Sequence, residues 1–163
     1  MNKDYCILAG GCFWCIAFPF YELKGVIKVI SGYSGGFISN PTYNEVKSQT
    51  TGHYEVIKIE YDSSLITYEE ILKVYLENID PFDDKGQYID RGSSYTLAVF
   101  YRNNKMKELA TKVINETFNK ATAIKLIPEK EFYIAEDYHQ DYALKNPKEI
   151  EEEFKISGRN YKK

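Results

Sequence analysis

The sequence has no apolar run long enough for a membrane. Met1-Asn2-Lys3-Asp4 leads into only about five apolar residues before Gly10-Gly11, whereas a signal-peptide core needs roughly 7–15 and a span about 20. We therefore expect a soluble, cytoplasmic protein. It also has no basic stretch beyond the terminal Lys162-Lys163, and 21 Lys+Arg stand against 24 Asp+Glu for a formal charge of −3. That leaves no electrostatic footprint for nucleic acid. Cysteine is scarce: Cys6, Cys12 and Cys15 all lie in the first tenth of the chain, an odd number that cannot staple a fold and reads as chemistry or metal binding. Internal repeats, low-complexity segments and linkers are absent too. The 163 residues fit one domain of ~100–200 residues, expected to span 1–163 with a core over about 4–147 and a tail over about 148–163.

Short elements fill that length. Tyr5–Ala9 reads as a buried strand ended by two glycines, and Cys12–Leu23 as a helix closed by Gly25, bent or shortened by Pro19. Val26–Ile30 is a second strand, followed by a glycine-bearing loop over Ser31–Thr42. Tyr54–Tyr61 alternates as a strand with Glu55, Ile57, Ile59 and Tyr61 on its more apolar face. Thr67-Tyr68-Glu69-Glu70 is a capping box that opens a helix ending by Pro81. A polar loop over Phe82–Gly92 precedes a strand over Tyr95–Tyr101. Asn103 or Asn104 then caps a helix with Met106, Leu109, Ala110, Val113 and Ile114 inward, and Ala123–Ile127 is a last short strand. Weak helices follow over Ala135–Leu144 and Lys148–Phe154. The order predicts an α+β, two-layer domain of the ferredoxin-like plait type, a split βαβ with a polar C-terminal extension wrapping it.

The chemistry gathers where the first strand meets the first helix. Unpaired N–H groups and the helix dipole there stabilise an anion, so the position of Cys12 suits a thiolate. Cys15 follows one turn later, the spacing at which a resolving thiol closes a small disulfide at a helix start. Cys6, inside an apolar strand, reads as core. Two other readings remain. One is a Cys₃His zinc site that combines Cys6, Cys12 and Cys15 with His53 or His139 in a binding module; the other is a thioredoxin-like thiol-disulfide exchange protein. The plait order and the loop over Ser31–Thr42 do not suit the latter.

Gly11-Cys12-Phe13-Trp14 resembles the signature that opens the peptide methionine sulfoxide reductase A family. Further blocks match in the family's order: Gly32-Tyr33-Ser34-Gly35-Gly36, Asn40-Pro41-Thr42-Tyr43, Thr51-Gly52-His53-Tyr54-Glu55, Asp90-Arg91-Gly92-Ser93-Ser94-Tyr95 and Phe132 through Gln140. The resemblance spans roughly Tyr5 to Pro147.

It implies an oxidoreductase that reduces methionine S-sulfoxide, free or in oxidised proteins, with Cys12 as nucleophile and Glu55 as the acid that protonates the sulfoxide oxygen. Tyr33 and Tyr95 would hydrogen-bond that oxygen, Asp90 would anchor a water, and Phe13 and Trp14 would wall the substrate methyl. Cys15 is the expected resolving thiol, because many members carry Gly there with resolving cysteines near the C-terminus, and no cysteine follows Cys15 here. The expected cycle runs through a sulfenic acid on Cys12 and a Cys12–Cys15 disulfide. Thioredoxin, or dithiothreitol in its place, would supply the electrons without any cofactor or metal, to an enzyme expected to act as a monomer. Chemistry independently asks for such a set. A sulfoxide sulfur carries a poor leaving oxygen, so thiolate attack needs a proton donor, and a desolvated carboxyl keeps its proton near neutrality.

Overall fold

The computed structural model describes residues 2–159; residues 160–163 of the expected tail lie outside it. Strand β1 is Lys3–Gly10, and its alternation sends Cys6 and Leu8 to one face of the sheet and Ile7 and Ala9 to the other, all buried. Gly11, at φ 88°, turns the chain; a Cβ there would meet Gln87 Cβ at 2.6 Å, so neither the angle nor the space admits a side chain.

Helix α1 is shorter than the apolar pattern predicts, Phe13–Ala17, and continues as a 3₁₀ turn over Phe18–Phe20. Pro19 is the reason, since it brings no N–H and crowds the preceding turn. Strand β2, Val26–Ser34, runs into what the sequence reads as a loop. There Gly32, Tyr33 and Ser34 pair with Val56, Glu55 and Tyr54 of β3, Tyr54–Asp62, so ladder hydrogen bonds override glycine's poor strand preference. Helix α2, Tyr43–Lys47, is an element the sequence reading passed over, although Thr42 and Glu45 close a complete capping box at its start.

Helix α3, Tyr68–Glu77, starts at its Thr67/Glu70 box as expected and ends before Pro81. The polar loop that follows holds a small ribbon, β4 Gly86–Gln87 against β5 Asp90–Arg91. Tyr95 closes a 3₁₀ turn, Ser93–Tyr95, and β6 begins only at Leu97, running to Tyr101. Asn103 caps α4, Asn104–Thr117, through its Oδ1 and the Met106 N–H. Strand β7 is Lys125–Pro128. The expected helix over Ala135–Leu144 is replaced by a short strand β8, Tyr133–Ile134, a 3₁₀ turn Asp137–His139 and a brief α5, Tyr142–Lys145. Strand β8 pairs with the edge of β2. Helix α6 is Pro147–Ser157.

The six-stranded sheet has the order β7-β6-β1-β3-β2-β8. Neighbours are antiparallel except β6 and β7, so the sheet is mixed. Helices α1, α3 and α4 cover one face, where Leu8, Ile57, Ile59, Leu97 and Val99 meet Phe13, Ile16, Ile71, Leu72, Tyr75 and Val113. Ile7, Ala9, Val56, Ala98 and Phe100 form a smaller cluster on the other face under Phe132 and Ile127. The tail helices make a third cluster, with Ala143, Ile150 and Phe154 against Cys12 and Cys15. The extension thus wraps the domain on the cysteine side. Among the described residues, no helix is long and apolar enough to cross a membrane.

Candidate active site

Cys12 occupies the N-cap of α1, with no side-chain capping bond, and its carbonyl accepts the N–H groups of Cys15 and Ile16 at 3.1 Å each. The residue is nearly buried, at 7% exposure. The Cys15 thiol beside it, desolvation, and the carboxyls of Glu55 and Glu153 all push its pKa up. Cys12 therefore rests as a thiol, despite the helix start.

Glu55 reaches the same helix start from β3. Its Oε1 accepts the Phe13 N–H at 3.1 Å, filling the cap that Cys12 leaves empty. Its Oε2 has no hydrogen-bond partner among the described residues, and the side chain is 1% exposed. Burial raises its pKa to about 8, with Asp90 adding repulsion and the Phe13 N–H, Tyr95 and Lys47 opposing. A carboxyl so placed keeps its proton at neutral pH. Asp90, on β5, is raised to about 6 by burial and by Glu153, against the pull of Arg159 and Lys47.

The two tyrosines around this carboxyl are not the expected pair. Tyr95 lies close to Glu55: burial and the charges of Glu55, Tyr43, Cys12 and Asp90 raise its pKa. Tyr33 does not present its hydroxyl to the same point. It is fully buried and donates to Glu136 Oε1 at 2.8 Å. A phenol has one proton to give, and here Glu136 takes it. Tyr43, on the first turn of α2, is the tyrosine that joins Tyr95, with a pKa raised to about 12 by burial and then by Glu55 and Cys12. Its signal was available: the Thr42/Glu45 capping pattern puts Tyr43 at the first helical position.

Glu136 binds both tyrosines into one unit, since its Oε2 accepts the Tyr43 backbone N–H at 2.9 Å while Oε1 holds Tyr33. Burial pushes this carboxyl up, but the hydrogen bonds from Tyr43 N–H and Tyr33 hold it below the usual range.

Phe13 and Trp14 open α1 beside Cys12 and form a wall with rings from the tail. Phe13 lies 5.0 Å and Trp14 5.5 Å from the His139 ring, and Trp14 stacks on Tyr142 at 3.9 Å. The Trp14 Nε1–H donates to His139 Nδ1 at 3.1 Å, which fixes the indole edge. His139 is fully buried, and burial lowers its pKa, so the ring is neutral. The tail closes below the site with Arg159, which donates to Gly10 O at 3.2 Å and Asn78 O at 3.3 Å and lies over the Tyr88 ring. Glu136 and His139 lie in the block Phe132 through Gln140 that resembles the family, whereas Tyr142, Glu153 and Arg159 come from a segment whose polar composition gave no such signal.

The zinc set is not assembled. Cys6 faces the core in β1, paired with Ile59, and His53 is held between Gly36 N and Ile38 O. Among the described residues, only Cys12, Cys15 and Glu153 bring possible ligand atoms together, three donors where a structural zinc takes four.

The model of the family described as peptide methionine sulfoxide reductase matches residues 4–163. Peptide methionine sulfoxide reductase MsrA 2 of Staphylococcus aureus strain MW2 is 44% identical over 98% of this chain and 93% of its own length. The MsrA of Ligilactobacillus salivarius is 45% identical over 90% and 88% respectively. The crystal structure of reduced Mxr1 from Saccharomyces cerevisiae superposes with a TM-score of 0.84 at 27% identity, covering 90% of this chain and 87% of that one. The chain belongs to the peptide methionine sulfoxide reductase A family.

Proposed function

We propose that this protein is a peptide-methionine (S)-S-oxide reductase that works in a single domain over 1–163. Cys12 attacks the sulfoxide sulfur while Glu55 gives its proton to the oxygen, and the proton leaving the thiol restores the carboxyl. Cys12 is oxidised to a sulfenic acid as the sulfoxide is reduced to the thioether, so atoms and electrons balance. Tyr43 and Tyr95, rather than Tyr33, donate to the developing oxyanion without adding charge. Asp90 anchors a water beside them, and Phe13 and Trp14 hold the substrate methyl. The observation that carries this reading is Glu55: buried, with Oε2 unpartnered and a pKa raised to about 8, at the helix that starts with Cys12.

Cys15 then condenses with the sulfenic acid, and an external dithiol protein, thioredoxin by family resemblance, reduces the disulfide. Neither step asks for a cofactor. The β6-β1-β3-β2 order with antiparallel neighbours is, on this reading, the split βαβ plait, extended by β7 and β8. A cytoplasmic monomer acting on oxidised proteins or free methionine sulfoxide fits the charge balance and the repair of oxidised side chains.

Racemic methionine sulfoxide with dithiothreitol tests the activity: consumption should stop at half the substrate, leaving the R epimer. Consumption of both epimers, or of neither, overturns it.

A further inference from the structure

Helix α6 brings an acid to the cysteine pair. Its Ile150 and Phe154 pack against Cys12 and Cys15. Between them, a carboxylate oxygen of Glu153 and the two sulfurs all lie within 4.8 Å of one another. Of the other acids of α6, Glu149 takes the Tyr142 hydroxyl and Glu151 lies 3.7 Å from Lys155, and Glu152 is not among the groups gathered at the sulfurs. Glu153 has no hydrogen-bond or ion-pair partner among the described residues. Asp90 is the other acid near Glu153, but it is not among the groups gathered within 4.8 Å at the two sulfurs. The rest of α1 is Phe13, Trp14, Ile16 and Ala17, the Tyr142 hydroxyl is taken, Glu55 holds its own proton, and His139 lies outside the cluster.

We propose that Glu153 is the general base of the second half-reaction, accepting the Cys15 thiol proton as Cys15 attacks the Cys12 sulfenic acid. This rests on the reading of the chain as a reductase that recycles through Cys15. The Cys15 S–H bond breaks and its proton passes to the Glu153 carboxylate. The Sγ–Sγ bond forms as the S–O bond of Cys12 breaks, and hydroxide leaves as water with that proton. Cys15 sulfur is oxidised and Cys12 sulfur reduced to the disulfide level, and Glu153 ends unchanged. The need for a base is chemical: the thiolate attacks, not the thiol, and the site is closed by apolar side chains. The sharing of work is also economical. Glu55 serves the substrate side of Cys12 as an acid, and Glu153 serves the Cys15 side as a base.

The test is Glu153→Gln in a single turnover without reductant, following methionine release, sulfenic acid trapped by dimedone, and disulfide formation by mass spectrometry. At neutral pH the disulfide should form about 10²-fold more slowly than in the wild type, the usual worth of a positioned base, while sulfenic acid accumulates. Raising the pH to about 10, where a free thiol ionises unaided, should close that gap, and Glu153→Asp should restore part of the rate. Disulfide formation within about threefold of wild type at neutral pH overturns the proposal. A deficit that persists unchanged at high pH, or is equal in the Asp variant, also overturns it, because loosening of α6 would give that result. Failure of the wild-type protein to release methionine at all sinks the reductase reading instead.

Discussion

Two regions meet at Cys12, and they are built differently. On one side, Glu55 and the strand that leads to Cys12 sit in a continuous ladder, with β1 and β3 in unbroken register from Lys3↔Asp62 to Leu8↔Ile57 and β2 aligned so that Tyr33 pairs with Glu55. On the other side, the segment from Glu136 onward has only a 3₁₀ turn, a short α5 and α6. It is tied down by side-chain bonds: Tyr33 and Tyr43 to Glu136, Trp14 to His139, Arg159 to Gly10. A backbone ladder fixes an atom's position independently of any one side chain, whereas a strap of side-chain bonds can be cut at a single residue. Glu55 stands on the ladder and Cys12 just beyond its first strand, whereas Glu136, His139 and Glu153 come from the strap.

The contrast can be broken at graded points. Cys12→Ser should abolish methionine release in a single turnover, because no other thiol stands at the helix start with the acid above it; measurable release would move the chemistry elsewhere. Cys15→Ser should still release close to one methionine per enzyme without reductant, while steady-state turnover with thioredoxin falls to background and turnover with dithiothreitol survives in part. Full thioredoxin turnover in that variant would transfer the resolving role to Cys6.

Cutting the strap at Glu136→Gln should lower the single-turnover rate by roughly tenfold, since the variant loses a charge-assisted hold on Tyr43 worth about 1.5–3 kcal/mol; a rate equal to wild type would show that α2 holds Tyr43 without help. Cys6→Ser should change the rate by less than about threefold, a limit set by the distance of a core thiol from the chemistry. A large loss with the fold intact would overturn the division between the two regions.

How much of this was legible in the sequence follows the same division. Alternation over Tyr54–Tyr61 put Glu55 on the buried face, and the two capping patterns at Thr67 and Asn103 placed the helices they open, because both signals are local. Glycines misled at β2: Gly32 is held in a strand by pairing with Val56 and Ile134, and it is glycine because the Phe132 ring and Tyr133 carbonyl press within 2.4–2.6 Å of where a Cβ would be, long-range contacts with no local trace. Tyr33 and Tyr43 both lie in blocks that match the family, and what sets Tyr33 apart is its hydroxyl bond to Glu136, about a hundred positions away. In the tail the reading failed most, since Ala135–Leu144 looked weakly helical. The segment takes its shape from β2, which pairs with Tyr133 and Ile134, and from Ser31, held by Gln140.

The central claim is that a neutral Glu55 supplies the proton, and the pH dependence of a single turnover tests it most directly. A carboxyl raised to about 8 is protonated below that pH and loses its proton above it. The wild-type rate of methionine release should therefore be flat from about pH 6 to 7.5 and fall as the pH rises through about 8, approaching tenfold per unit. Glu55→Gln should be slower by roughly 10²–10⁴-fold at pH 7 and should lack that fall. A Gln variant close to the wild-type rate, or a wild-type rate that climbs through pH 8 without a break, would contradict the account.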